Sequence, residues 1–346
     1  MNNKFFPSNF LFIMIMFMGT MLSLSSSHWV TMWMGLELNL MGFLPLMNIK
    51  GKMLEAEASM KYFIIQSMSS SLLIMSTIIM YNMNLSWYSM FNNNMISNMI
   101  LLSLILKLGG APLHFWLPSI AKQMPWMILF LMLTWQKLAP LVMISLTNSN
   151  LSLILLMSIL STLIGSIMML NQTNIQLIMA YSSISHLGWM LSMISINSTL
   201  SLIYFTNYVI ISIPLIMILS MSVGNHLFML TNMNKMNNLI IISLILSLAG
   251  LPPLLGFMSK LIILISLIKM KMIMLTMFLF LGTLISLFTY LNMSLMLMIK
   301  SYMTFEKNMN QYTYMPLISM NMLSSFIIYP LIILITKYAM TILYKP

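Results

Sequence analysis

Leu244-Ile-Leu-Ser-Leu-Ala-Gly-Leu-Pro-Pro-Leu-Leu-Gly-Phe-Met-Ser-Lys260 sets two glycines, two prolines and a lysine inside an apolar run that reaches from 238 to 268. Proline removes a backbone donor and clashes with the preceding turn, and glycine relaxes the chain, so a helix through this stretch should break. Hydrocarbon offers the freed carbonyls no partner, and such a break is tolerated only where protein or water covers it. A second run, 95–117, contains Lys107-Leu-Gly-Gly-Ala-Pro112, and Gly110 to Pro112 matches Gly250 to Pro252. Both interruptions carry a lysine.

The rest of the chain agrees with a lipid solvent. Of 346 residues, 60% are hydrophobic and only 5% charged, with a mean hydropathy of +0.97. No soluble core could hide that surface. The net charge of +11 would suggest nucleic acid in a soluble protein. Here the lysines divide between loops and helix interiors, which argues against nucleic-acid binding. Cysteine is absent, so disulfides, thiolate-bound zinc and cysteine-held iron-sulfur clusters are excluded within this chain. The 47 methionines read as adaptable packing rather than a metal site.

A span needs about 20 apolar residues to cross the hydrocarbon layer. That rule predicts an all-α polytopic membrane protein with eleven transmembrane helices, over 8–24, 27–47, 58–81, 95–117, 125–147, 150–170, 174–195, 200–223, 238–268, 272–298 and 317–343. Phe10 to Met18 follows a single lysine, Lys4, without a small-residue cleavage site, and is expected to be a retained first span. Spans four and nine, the broken ones, lie five apart. Because five is odd, units 8–147 and 150–300 would run in opposite directions as inverted five-helix repeats, a design of many transporters, followed by a loop and last helix in 301–346. Lys4, Lys50, Lys52, Lys122, Lys235, Lys300 and Lys307 fall on the N-terminal side, against Lys269, Lys271 and Lys345 opposite. The bias places the N-terminus in the compartment of synthesis. Trp29, Trp87, Trp126 and Tyr302 read as interfacial anchors, and Glu55, Glu57 and Glu306 as solvated loop charges.

Four charges remain inside apolar runs: Glu37, Lys107, Lys137 and Lys260. A charge at mid-bilayer costs ~2.5 to 3.5 kcal/mol on insertion scales, so one kept there marks an ion or proton path. Helical spacing puts Lys107, Gly110 and His114 on one face, and Pro252, Gly256 and Lys260 on another. Lysine suits proton relay because burial disfavours its charged form while a carboxylate restores it. A Glu37 carboxylate about 7 Å from Lys107 would interact by ~2.4 kcal/mol at an effective dielectric near 20. Lys137, mid-span, is a candidate central relay. His186 has Ser182 and Ser183 one turn back, a polar stripe able to hold water. His114 is a relay candidate balanced against a satisfied core role, whereas His28 and His226 sit near span ends and read as solvated. No Walker loop, nucleophile elbow or dinucleotide glycine pattern is present.

Six segments together resemble a known family. They are Trp33-Met-Gly-Leu-Glu-Leu-Asn39, Glu57-Ala-Ser-Met-Lys-Tyr-Phe63, Lys107 to Trp116, Trp135-Gln-Lys-Leu-Ala-Pro140, Tyr181-Ser-Ser-Ile-Ser-His-Leu-Gly-Trp189 and Gly250 to Phe257 with Lys260. In this order they resemble the chain 2 family of mitochondrial NADH:ubiquinone oxidoreductase, with a composition like arthropod members. The resemblance implies an antiporter-like subunit of the complex I membrane arm, in the mitochondrial inner membrane, N-terminus toward the matrix. It implies a Glu37 and Lys107 switching pair, Lys137 as central relay, Lys260 as the terminal residue toward the intermembrane space, and His186 on the connecting water chain. It implies no cofactor in this chain, with NADH, FMN, iron-sulfur clusters and ubiquinone in partner subunits. Other membrane-arm subunits, neighbouring antiporter-like subunits among them, and lipids such as cardiolipin are the expected partners. Ser119 departs from the family, which commonly has glutamate there. Two alternatives stay open on the residues: a structural subunit whose charges only lock helices, and a stand-alone cation/proton antiporter.

Overall fold

The structure, a computed structural model, describes residues 7–49, 51–84, 94–147, 150–194, 196–220, 235–252 and 254–303. The expected eleventh span at 317–343 lies outside the described residues, as do Lys4, Lys50, Trp87, His226, Glu306, Lys307, Lys345 and the side chains of Lys235, Lys300 and Tyr302. Every regular element described is a helix. Contacts divide the chain into two units, Met1–Met157 and Ser158–Pro346.

The first unit opens with α1 (Pro7–Ser25), α2 (Trp29–Met47) and α3 (Met53–Asn84). Helices α1 and α2 approach backbone to backbone: a Cβ on Gly35 would lie 2.6 Å from the Ser23 nitrogen, and one on Gly19 would lie 2.5 Å from the Asn39 nitrogen. Without a hydrophobic drive between helices in lipid, such close approach supplies the van der Waals contact that holds them. Expected span four is α4 (Asn94–Leu108), a run of turns, and the short α5 (Trp116–Ala121). Expected span five is likewise two helices, α6 (Trp126–Leu133) and α7 (Trp135–Leu146), separated at Thr134.

The second unit takes most of α8 (Leu151–Met169), then α9 (Ile175–Ile194), α10 (Ser198–Ser220), α11 (Lys235–Ala249), α12 (Leu255–Lys269) and α13 (Ile273–Met303). Among the described residues, seven stretches are long and apolar enough to cross a membrane. Helices α4, α11 and α12 have 15 residues each, about 22 Å at 1.5 Å per residue, short of the ~30 Å hydrocarbon layer. They are half-helices that end within it.

Both half-helix ends close in the same way. Gly109 (φ 72°) and Gly250 (φ 85°) take the left-handed conformation. Gly109 donates to Leu106 and Gly110 to Ile105; Gly250 donates to Ser247 and Leu251 to Leu246. These paired bonds form a Schellman cap, which satisfies carbonyls that lipid cannot. The caps align Gly109 with Gly250. The Gly-x-Pro match had aligned Gly110 with Gly250, and the fold corrects that register by one residue.

Three other expectations change. Glu55 and Glu57 lie on α3, not in a loop, because the helix begins at Met53. Glu55 is buried, in the first turn where a carboxylate complements the helix dipole, and Glu57 pairs with Lys61 one turn on. Trp29 and Trp126 start α2 and α6 as anchors would, yet both are packed inside the chain.

A Cβ on Gly256 would fall 1.8 Å from the Ser247 carbonyl oxygen. We therefore expect Gly256→Ala to push α12 off the end of α11, at a cost beyond the ~1 to 3 kcal/mol of ordinary overpacking. Gly282→Ala, whose Cβ would stand 3.2 Å from the Thr162 oxygen, should be milder. The yield of folded protein after extraction from the membrane compares the two.

Candidate functional site

Lys260 belongs to α12, and its ammonium reaches back across the break to the end of α11. Nζ donates to the Ala249 carbonyl at 2.7 Å and to the Leu248 carbonyl at 3.4 Å. These are last-turn carbonyls, the negative end of the helix dipole, where a cation is favoured. Gly250 makes the approach possible, since a Cβ there would meet Lys260 Nζ at 3.1 Å. The expectation that this broken helix aims its lysine at its own gap holds.

His186 and Lys260 line one small cavity, together with Thr162, Ser185, Thr283 and Ser286. It leaves about 10 Å³ for the centre of a water molecule, room for on the order of one water between these polar groups and the apolar wall of Trp189 and Gly282. His186 Nδ1 lies 2.7 Å from the Tyr204 hydroxyl, and its ring packs 5.1 Å from that of Tyr208. Ser182 and Ser183 donate to the Met179 and Ala180 carbonyls of their own helix. Their hydroxyls are thus satisfied as donors and offer only acceptor capacity.

In the first unit the two kinks and one lock organise the charges. Lys107 ends α4 and is 8% exposed; the Gln66 amide on α3 donates to its carbonyl at 3.3 Å. Glu37 is half-buried on α2. Its charge acts on Lys107 without a contact ion pair of 4 Å or less between them. Such a pair interacts through space and is sensitive to the carboxylate's position. Lys137 is 3% exposed, one turn into α7. Thr134 folds its hydroxyl onto the Phe130 carbonyl at 2.7 Å, and Lys137 N–H bonds the Thr134 carbonyl in a tightened turn. Pro140, inside α7, has no N–H for the Gln136 carbonyl, so the helix lacks that backbone bond one residue before Lys137.

His114 is not on a helix face with Lys107. Residues 109–115 are turns, so helical spacing does not carry across the break. The buried ring instead has Nδ1 3.2 Å from the Pro112 oxygen and stacks on Phe115 at 4.4 Å. Ser119, at the departure from the family pattern, is exposed and donates to the Trp116 carbonyl.

The site also includes residues that the sequence did not single out. Asn39 and Gln136 exchange amide hydrogen bonds at 2.8 and 3.1 Å, and Tyr62 donates to Gln136 at 3.4 Å. Asn39 is two residues from Glu37 and Gln136 is beside Lys137, so this reciprocal pair ties the helix of one charge to that of the other. Tyr204 and Tyr208, spaced i, i+4 in an apolar helix, were visible as a polar pair on one face; their meeting with His186 was not.

Comparison with known proteins follows this geometry. The transmembrane family of NADH:quinone oxidoreductases and Mrp antiporters matches residues 26–286. NADH-ubiquinone oxidoreductase chain 2 of Anopheles gambiae is 40% identical over 302 residues, covering 85% of this chain and 87% of the relative. The chain belongs to this family. Chain 2 of Locusta migratoria is 36% identical, covering 82% of this chain and 83% of its own. In fold, the chain is similar to one in respiratory complex I from Thermus thermophilus, with a TM-score of 0.77 at 23% identity, over 84% of this chain and 70% of that one.

The amide lock yields a test by double substitution. Gln136→Leu leaves the buried Asn39 amide without its partner and should cost about 1 to 3 kcal/mol. Adding Asn39→Leu should recover part of that loss, a coupling that thermal denaturation of the assembled complex in a double-mutant cycle measures.

Proposed function

We propose that the chain is a proton-translocating membrane subunit of mitochondrial NADH:ubiquinone oxidoreductase, working through its buried lysines. The observation that carries this reading is the shared cavity of His186 and Lys260, with the Lys260 ammonium seated on the open end of a broken helix. A buried amine held by backbone carbonyls can give up its proton only when something compensates the loss. A neighbouring imidazole and hydroxyl-lined space for water provide a path for it.

The roles follow from placement within each unit. In the first, Glu37 modulates the charge of Lys107 as a switching pair, and Lys137 is the central relay, held at the start of α7 just past the break at Thr134. In the second, His186 passes protons to Lys260, the terminal residue toward the intermembrane space. His114 stands beside the first break as a further relay residue. The two capped half-helices belong to inverted five-helix repeats, the arrangement in which interrupted helices flank a transport path.

The chain spans the mitochondrial inner membrane with its N-terminus in the matrix, as the lysine distribution supports. Electron transfer from NADH through FMN and iron-sulfur clusters to ubiquinone takes place in partner subunits. The want of cysteine is consistent with this, and no group of three or more metal-ligating His or carboxylate side chains occurs among the described residues. Neighbouring antiporter-like subunits and cardiolipin are its partners within the membrane, and nucleic acid is not.

A second reading has one observation in its favour. The Lys260 bonds to Ala249 and Leu248 are also what a purely structural helix cap would make. Two substitutions separate the readings. Lys137→Met should leave complex assembled but lower the number of protons moved per electron, measured in reconstituted vesicles; an unaltered ratio contradicts the relay. Lys260→Met, which also removes the donor to Ala249 and Leu248, should lower assembly and lower the ratio in whatever complex forms, whereas the structural reading expects poor assembly and normal pumping by whatever forms.

A further inference from the structure

A phenol meets Nδ1 of the His186 ring. Tyr204 Oη lies 2.7 Å from Nδ1, both residues are buried, and their rings tilt together at 5.9 Å. A phenol oxygen can accept a hydrogen bond without carrying a charge. When it accepts from Nδ1–H, the basic nitrogen of the neutral ring is Nε2, and the bond to Oη stays in place while Nε2 gains and loses a proton.

We propose that Tyr204 is a positioning residue that engages Nδ1 of His186 and so commits Nε2 to proton exchange in the cavity shared with Lys260. The inference rests on the relay role of His186 given above. In the exchange, Nε2 takes a proton as its donor's bond breaks, then gives it up toward Lys260, whose neutral amine gains the N–H bond that Nε2 loses. Nδ1 carries the hydrogen in the neutral ring and donates to Oη in both states. The ring has no need to turn over. Polar groups facing His186 are Thr162 from α8, Tyr208 from α10, Lys260 from α12, and Thr283 and Ser286 from α13. Lys260 is the one charged side chain lining the cavity.

The experiment is Tyr204→Phe in the whole assembled complex, beside His186→Phe and Ser212→Ala. Ser212 is buried on the same helix and donates to the Val209 carbonyl, so its variant controls for the loss of a buried hydroxyl away from His186. Losing one hydrogen bond to the reacting ring should slow proton-coupled turnover about tenfold. It should also shift the pH profile of that turnover by up to about one unit, while Ser212→Ala keeps the wild-type profile. A wild-type rate and profile for Tyr204→Phe, with His186→Phe impaired, would overturn the positioning role and leave the relay standing. Wild-type behaviour of both would overturn both. If the phenylalanine variant does not assemble, Tyr204→Gln decides, because its amide also donates and accepts: a retained profile supports the proposal and a tenfold loss refutes it.

Discussion

A helix that stops inside a bilayer leaves carbonyls that lipid cannot satisfy, and the interaction that meets this demand in the second unit is the Lys260 ammonium on Ala249 and Leu248. The neighbouring packing follows from it. Gly250 is left-handed and without a side chain where the lysine must pass, and Gly256 lets α12 close on Ser247. The amine is thus fixed at a point that also opens on His186 and four hydroxyl-bearing side chains. The group that caps the broken helix is thus also the one that lines the cavity with His186.

The first unit handles its charges differently. Lys107 ends a half-helix whose carbonyls are capped by Gly109, Gly110 and the Trp116 indole, so its ammonium is not needed as the cap. It answers to Glu37 through space instead. The Asn39 and Gln136 amides then connect the Glu37 helix to the Lys137 helix, a polar contact in a setting where a lost partner is costly. Chemistry and helix packing are coupled here through neutral groups.

Much of this was legible because membrane structure is dictated locally. Twenty apolar residues make a span, and Gly and Pro inside one break it, so ten of the eleven expected spans find helices among the described residues and both expected breaks occur. What failed depended on backbone path. His114 was placed by helical spacing across a segment that is not helical, and the cap register rested on Pro112 and Pro252 when the left-handed glycines decide it. The interruption at Thr134 has a proline only six residues later, too far for the same rule. Glu55 was assigned to a loop because three charges and a glycine lie close together at 51–57, yet dipole and burial place it in a helix. The Tyr204 and Gln136 contacts join residues 18 and 97 apart. No local pattern encodes which partner such a group will meet.

Proton movement through the buried amines requires water at them rather than dry packing. A structure of the assembled complex at a resolution that shows ordered solvent decides between the two. Density for water is expected in the cavity between His186 and Lys260, within hydrogen-bond reach of Lys260 Nζ, and at Lys137. Apolar side chains filling that cavity, with both amines bonded only to protein, would contradict proton movement through them.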